Sequence, residues 1–177
     1  MIVVLFGVSG SGKTTIGKLL SEKLGWPLFD ADGYHPAANV EKMRSGVALT
    51  DADRRPWLDR LNTLLREQQA AGQNAILACS ALKQAYRDRL ADGLCDLFWI
   101  HLKGDFELID ARLKARRGHY MPPSLLRSQF ATLEEPRDAI TVDVTPLPDD
   151  IARDIAERLI QPRNDLTTAS VARDNRN

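Results

Sequence analysis

The run Gly7-Val8-Ser9-Gly10-Ser11-Gly12-Lys13-Thr14 dictates more about this chain than any other stretch. It matches G-x-x-x-x-G-K-[ST], the pattern of a loop that wraps phosphate groups. Its flanks agree. Met1 to Phe6 is a short apolar run that reads as a buried parallel strand, and Thr15 to Leu24 carries Ile16, Leu19, Leu20 and Leu24 at helical spacing. Strand, glycine loop and helix in that order are the context the pattern requires. Glycines let the backbone turn tightly and aim its N–H groups at phosphate oxygens. The helix N-terminus adds its partial positive charge. Lys13 is a point charge on a flexible stem, able to reach β and γ phosphates, and Thr14 offers a hydroxyl to Mg²⁺. A dinucleotide pattern fails, because Gly10-Ser11-Gly12 is followed by Lys13-Thr14-Thr15 with no third glycine. Gly7, Ser9, Gly10, Ser11, Gly12, Lys13, Thr14 and Thr15 therefore form the expected nucleotide-binding set, with a nucleoside triphosphate and Mg²⁺ as its ligands.

The remainder of the chain restricts the class. At 177 residues it is long enough for one domain with a sizeable core. Lys+Arg and Asp+Glu both number 24, so the net charge is zero, which argues against a general nucleic-acid binder. Cys79 and Cys95 are the only cysteines and share no C-x-x-C spacing, so neither a disulfide framework nor a zinc site is indicated. The first apolar run is too short for a signal segment or a membrane span. A cytoplasmic protein with no membrane or nucleic-acid partner is the expectation.

Strands and helices are expected to alternate. Trp26 to Phe29 reads as a second strand leading to Asp30-Ala31-Asp32, and Ala37 to Arg44 as a short helix. Thr50-x-x-Asp53 resembles a capping box before an amphipathic helix through Trp57, Leu58, Leu61, Leu64 and Leu65. Asn74 to Cys79 is a third strand, Lys83 to Leu90 a helix, and Leu97 to Leu102 a fourth strand. Asp105 caps a helix with Phe106, Leu108, Ile109 and Leu113 on its apolar face. Leu125 to Leu133 is helical, Ala139 to Val144 a fifth strand, and Pro148 opens a last helix with Ile151, Ile155 and Leu159 in phase. This pattern predicts an α/β fold with a parallel sheet covered on both faces. A domain over residues 1–160 is expected, followed by a polar, aperiodic tail over 161–177 that reads as flexible.

Ligands of open α/β sheets sit beyond the carboxyl ends of the strands. Two carboxylates there, Asp30 and Asp32, suit phosphoryl transfer: Asp30 to help hold Mg²⁺ with Thr14, and Asp32 to take the proton of an acceptor hydroxyl. Strand alternation is expected to put them on one face; the alternative is that Asp30 caps a turn and only Asp32 is functional. Arg112 and Arg116, four residues apart, lead into a basic, proline-bearing loop. They are expected to stack on adenine and clamp the transferring phosphate, as part of a mobile lid over about 116–128. Lys13, Asp32 and Arg116 are the catalytic candidates. His35 follows the acids and is a candidate for a substrate hydroxyl. His101 and His119 receive no role, Trp57 reads as helix packing, and Cys79 as a small buried residue rather than a nucleophile. No Asp ends the third strand and no N-K-x-D segment occurs, which weakens a motor-ATPase or GTPase reading.

Several further blocks carry a resemblance. They are Asp30-Ala31-Asp32-Gly33-Tyr34-His35-Pro36, Asn39-x-x-Lys42-Met43, Asp51-x-Asp53-Arg54-x-Pro56-Trp57-Leu58, Cys79-Ser80-Ala81-Leu82-Lys83 with Tyr86-Arg87-Asp88, Leu102-Lys103-Gly104, Arg112 to His119, and Gln129-Phe130-x-Thr132-Leu133-Glu134-x-Pro136. Together with the glycine loop they resemble the bacterial-type gluconokinases over residues 1 to about 160. The resemblance implies ATP-dependent phosphorylation of D-gluconate at the 6-hydroxyl. It implies a three-layer α/β/α kinase fold with a five-stranded parallel sheet in the order 2-3-1-4-5 and a lid, and commonly a homodimer. Gluconate would need a cation for its carboxylate, from Arg54 or Arg55, Lys83 and Arg87, and polar groups such as His35 and Asp32 for its hydroxyls. Thr145 and Pro146 resemble part of an adenine-side loop. The alternatives are another small-molecule kinase, acting on shikimate or a nucleoside monophosphate, and a non-catalytic ATP sensor.

Overall fold

The computed structural model describes residues 1–115 and 123–160. Five strands, β1 (Ile2–Phe6), β2 (Leu28–Asp30), β3 (Ala75–Ala78), β4 (Leu97–Lys103) and β5 (Ile140–Asp143), form one sheet. Its order is β2-β3-β1-β4-β5 and every pairing is parallel. β1 sits in the middle: Ile2 faces Ala75 on one side and Leu97 on the other. All five of its residues are fully buried, which is why an unbroken apolar run, not an alternating one, encodes it.

The helices are α1 (Lys13–Leu24), α2 (Ala37–Arg44), α3 (Asp51–Ala70), α4 (Gln84–Ala91), α5 (Phe106–Ala115), α6 (Pro123–Thr132) and α7 (Pro148–Ile160). Successive β1 side chains point to opposite faces. Val3 and Leu5 join Ile16 and Leu20 of α1 and Ile151, Ile155 and Leu159 of α7 in one core. Ile2, Val4 and Phe6 join Trp57, Leu58, Leu61 and Leu65 of α3 and Tyr86 and Leu90 of α4 in the other. The three-layer fold expected from the sequence is thus present in sheet order and helix placement.

Local chemistry sets the ends of these elements. Thr50 caps α3 through a reciprocal box: its hydroxyl accepts the Asp53 N–H at 3.2 Å, and the Asp53 carboxylate accepts the Thr50 N–H at 2.9 Å. The Asp105 carboxylate accepts the Leu108 N–H at 2.8 Å at the start of α5. One expectation is corrected. The second strand ends at Asp30, and Ala31–Tyr34 turn into a 3₁₀ helix, so the two acids are not neighbours along one strand face. The Asp30 carboxylate accepts the Asp32 N–H at 3.2 Å, a side-chain bond that offers the backbone a turn in place of the ladder.

The expected lid divides at this point. Residues 116–122 lie outside the described part, with Arg116 and His119 among them, while 123–128 begin α6. The tail expected over 161–177 also lies outside the described residues.

Candidate active site

β1 and α1 hold the glycine loop between them, beyond the carboxyl end of the central strand. Two of its glycines have no substitute. At Gly7, with φ +146°, a Cβ would lie 2.7 Å from the Leu102 carbonyl oxygen. At Gly10, with φ +86°, it would lie 2.8 Å from Cγ of Leu113 on α5. The loop's own carbonyls occupy its lysine: Lys13 Nζ donates to the Gly7 oxygen at 3.0 Å and to the Val8 oxygen at 2.9 Å. Burial pushes the Lys13 pKa down, and the charges of Asp32, Cys79 and Asp30 oppose that shift. An arriving polyphosphate would add to the negative charge that Asp32 and Asp30 already place near this ammonium. Ser11 is fully buried with its hydroxyl unpartnered among the described residues, while Thr15 is exposed on α1.

Thr14 and Asp30 meet. The Thr14 hydroxyl donates to one Asp30 oxygen at 2.9 Å, while the other oxygen takes the Asp32 N–H. Asp30 therefore caps the turn and faces the loop hydroxyl at once. A hydroxyl and a carboxylate this close suit Mg²⁺, a hard ion that takes few protein oxygens and keeps waters and phosphates for the rest. No group of three or more His, Cys, Asp or Glu residues among the described residues forms a fuller cage.

Trp57 secures the far side of the turn, donating its indole N–H to the Ala31 oxygen at 2.8 Å. His35 stacks on that indole with ring centroids 4.2 Å apart and planes 14° from parallel, so Trp57 is both core packing and a platform. Burial lowers the His35 pKa, Asp32 opposes the shift and Arg54 adds to it. His35 Nδ1 is buried without a partner among the described residues, so a neutral imidazole keeps a nitrogen available to a hydroxyl. The same field links Asp32, His35 and Arg54 in one region. Cys79 ends β3 beside them with its thiol pushed up to about 12 by burial, far from a nucleophile's range.

Arg54 and Lys83 converge on Tyr86, each cation 5.5 Å from its ring centroid. Asp51 completes this cluster: Lys83 Nζ donates to its two oxygens at 2.9 and 2.8 Å, and the Tyr86 hydroxyl donates to it as well. The other two cationic candidates lie apart from it. Arg55 is exposed on α3. Arg87 is buried, and its guanidinium donates to the carbonyls of Ala81, Leu82 and Glu134 and to the Gln84 side chain, which leaves it saturated by the protein itself.

On the opposite side of the loop, Arg112 Nη2 donates to the Val144 oxygen at 2.7 Å. That bond joins α5 to the turn holding Thr145 and Pro146, where the Asp143 carboxylate accepts from the Thr145 N–H at 2.9 Å and hydroxyl at 2.7 Å. Arg112, Thr145 and Pro146 therefore share one rim. Sequence reasoning gave no role to Gln129. Its side chain accepts the Ser9 N–H at 2.7 Å and donates to the Ser9 hydroxyl at 3.1 Å, tying α6 to the phosphate loop. Tyr86 and Asp51 were missed as well, although all three stood inside the quoted blocks.

A phosphate-wrapping loop, an aspartate on the neighbouring turn and a cationic end beyond it, on a 2-3-1-4-5 parallel sheet, define a small-molecule kinase of the P-loop class. A family model described as an AAA domain matches residues 2–140. The gluconokinase of Gluconobacter oxydans is 49% identical over 77% of this chain and 76% of its own length. The thermoresistant gluconokinase of Escherichia coli is 45% identical over 81% of this chain and 84% of its own. A crystal structure of a gluconokinase from Sinorhizobium meliloti superposes with a TM-score of 0.78 at 38% identity, covering 89% of this chain and 90% of that one. The chain belongs to the gluconokinases.

Proposed function

We propose that the residues from the glycine loop past Asp32 to Arg54 and Lys83 transfer the γ-phosphoryl group of ATP to the 6-hydroxyl of D-gluconate. What supports this reading is a chain of neighbours from the glycine loop to the cations. The Asp32 charge acts on both Lys13 and His35, the Arg54 charge acts on His35, and Arg54 and Lys83 meet at the Tyr86 ring. An acid with a terminal hydroxyl at its far end matches that order.

Each residue has a role. The loop amides and Lys13 hold the β and γ phosphates, Lys13 exchanging the Gly7 and Val8 carbonyls for phosphate oxygens. Asp32 accepts the proton of the 6-hydroxyl as that oxygen attacks phosphorus, and ADP leaves in line. His35 Nδ1 bonds a substrate hydroxyl. Arg54 and Lys83 face the carboxylate. Arg112 with the Thr145–Pro146 turn borders the adenine, and Arg116 clamps the transferring group from the lid. Thr14 and Asp30 hold Mg²⁺, which supplies neutralising charge on the phosphates. Arg87 serves as a strut rather than a ligand. In keeping with the family resemblance we place the protein in the cytoplasm as a homodimer; among the described residues no helix is long and apolar enough to cross a membrane.

ADP release in a coupled assay tests the acceptor: turnover is expected with gluconate and not with shikimate or AMP. Asp32→Asn is expected to retain ATP binding while turnover falls by about 10²-fold or more. Undiminished turnover in that variant removes Asp32 from the role of base.

A further inference from the structure

The cations Arg54 and Lys83 already face a carboxylate of the protein. Asp51 opens α3, and its two oxygens take Lys83 Nζ at 2.9 and 2.8 Å together with the Tyr86 hydroxyl. Arg54 Nη1 stands 4.0 Å from the same group. An acceptor carboxylate arriving here meets donors in use. Asp51 also lies on the solvent side of the cations it holds: its side chain is 64% exposed, against 32% for Lys83 and 28% for Arg54. Among the described residues its carboxylate is held by these three groups alone. Lys83 and Tyr86, by contrast, stand on a fixed base, Tyr86 being buried in the core on α4.

We propose that Asp51 is a built-in competitor for the acceptor's carboxylate. It holds Lys83 and Tyr86 in the empty enzyme, yields them to gluconate, and takes them back as 6-phosphogluconate departs. This rests on the reading of Lys83 and Arg54 as the carboxylate end. With Asp51 in place the cluster of Arg54, Lys83 and Asp51 carries one net positive charge. Without it there are two, facing a monoanion. Asp51 thus weakens gluconate binding and favours product release. It is a residue that sets affinity through Lys83, not one that touches the reacting atoms.

The test compares gluconate with D-glucitol, which has a CH₂OH in place of the carboxylate, in steady-state kinetics. Asp51→Asn keeps the size and can still accept from Lys83, but loses the charge. It is expected to lower the gluconate KM and the inhibition constant of 6-phosphogluconate by about fivefold, the scale of a half-exposed ion pair, with no matching change for glucitol. Asp51→Glu, which restores the charge, is expected to fall less. A gluconate KM that is unchanged or raised in Asp51→Asn overturns the proposal, as does an equal shift for both acceptors. Lys83→Met separates the two ideas. A gluconate-selective loss in kcat/KM upholds the carboxylate end. Equal losses for both acceptors overturn that reading and the Asp51 proposal with it.

Discussion

Arg87 illustrates how a charged side chain in a suggestive block can be structural. Its neighbours in sequence, Lys83 and Tyr86, meet Asp51, yet its own guanidinium turns inward onto three carbonyls and lies 5.3 Å from the Phe6 ring centroid. Replacing it with Met would leave those buried acceptors without donors, at a cost of about 2 kcal/mol or more. Arg87→Met is therefore expected to lower the midpoint of denaturant unfolding markedly. A selective rise in gluconate KM at undiminished stability would instead return Arg87 to the substrate. The sequence alone had no means of making this distinction. Which way a cation on a helix turns depends on carbonyls supplied by Leu82 and by Glu134, and the latter is 47 residues away. The glycine loop was legible because the groups that would wrap phosphate, its amides, Lys13 and Thr14, all lie within the same eight residues, although Leu102, Leu113 and Gln129, which press on it or hold it, do not. Asp30 was half legible. Its cap over Asp32 is a two-residue effect that competes with strand propensity, and propensity alone read the strand too early.

At the scale of the element, α3 carries much of the acceptor side, since Arg54 and Trp57 both project from its first two turns. The capping box therefore bears on function as well as on helix stability. Thr50→Ala removes the hydroxyl that accepts the Asp53 N–H and is expected to cost about 1 kcal/mol in thermal unfolding. Asp53 adds a pH dependence. Its hydrogen bonds to Lys42 and to the Thr50 N–H and hydroxyl lower its pKa from 3.8 to about 2. A carboxylate with a depressed native pKa stabilises the fold above its unfolded value and loses that contribution as pH falls through the native one. The Tm advantage of the parent over Asp53→Asn is thus expected to be full at pH 5 and above and to shrink between about pH 4 and pH 2. A gap that stays constant across that window would remove the box as its source. The box itself was readable in Thr50-x-x-Asp53, because a cap is a contact between near neighbours. The cluster of Asp51 with Lys83 was not, because it joins α3 to the residue just before α4 across 32 positions.

At the scale of the molecule, Gln129 is the longest reach in the site, 120 positions from Ser9. Its bonds to Ser9 tie α6 directly to the phosphate loop. Gln129→Ala is expected to speed hydrogen exchange in α6 of the ATP-free protein, measured by mass spectrometry of its peptides. Unchanged exchange would mean that the apolar contacts of Leu126 and Phe130 alone keep the helix in place. The alternation of strands and helices followed from periodicity and the sheet order from the family resemblance, whereas contacts such as this one depend on a folded chain that no periodicity describes.

The placement of β1 also bears on how this protein comes into being on the ribosome. The strand that positions the glycine loop is flanked by β3 and β4, and the latter reaches Lys103. Until that residue has cleared the exit tunnel, a fully apolar strand waits with one of its edges bare, a state exposed to wrong pairing. ATP can act as a ligand that favours the native state only late, once the fourth strand has docked.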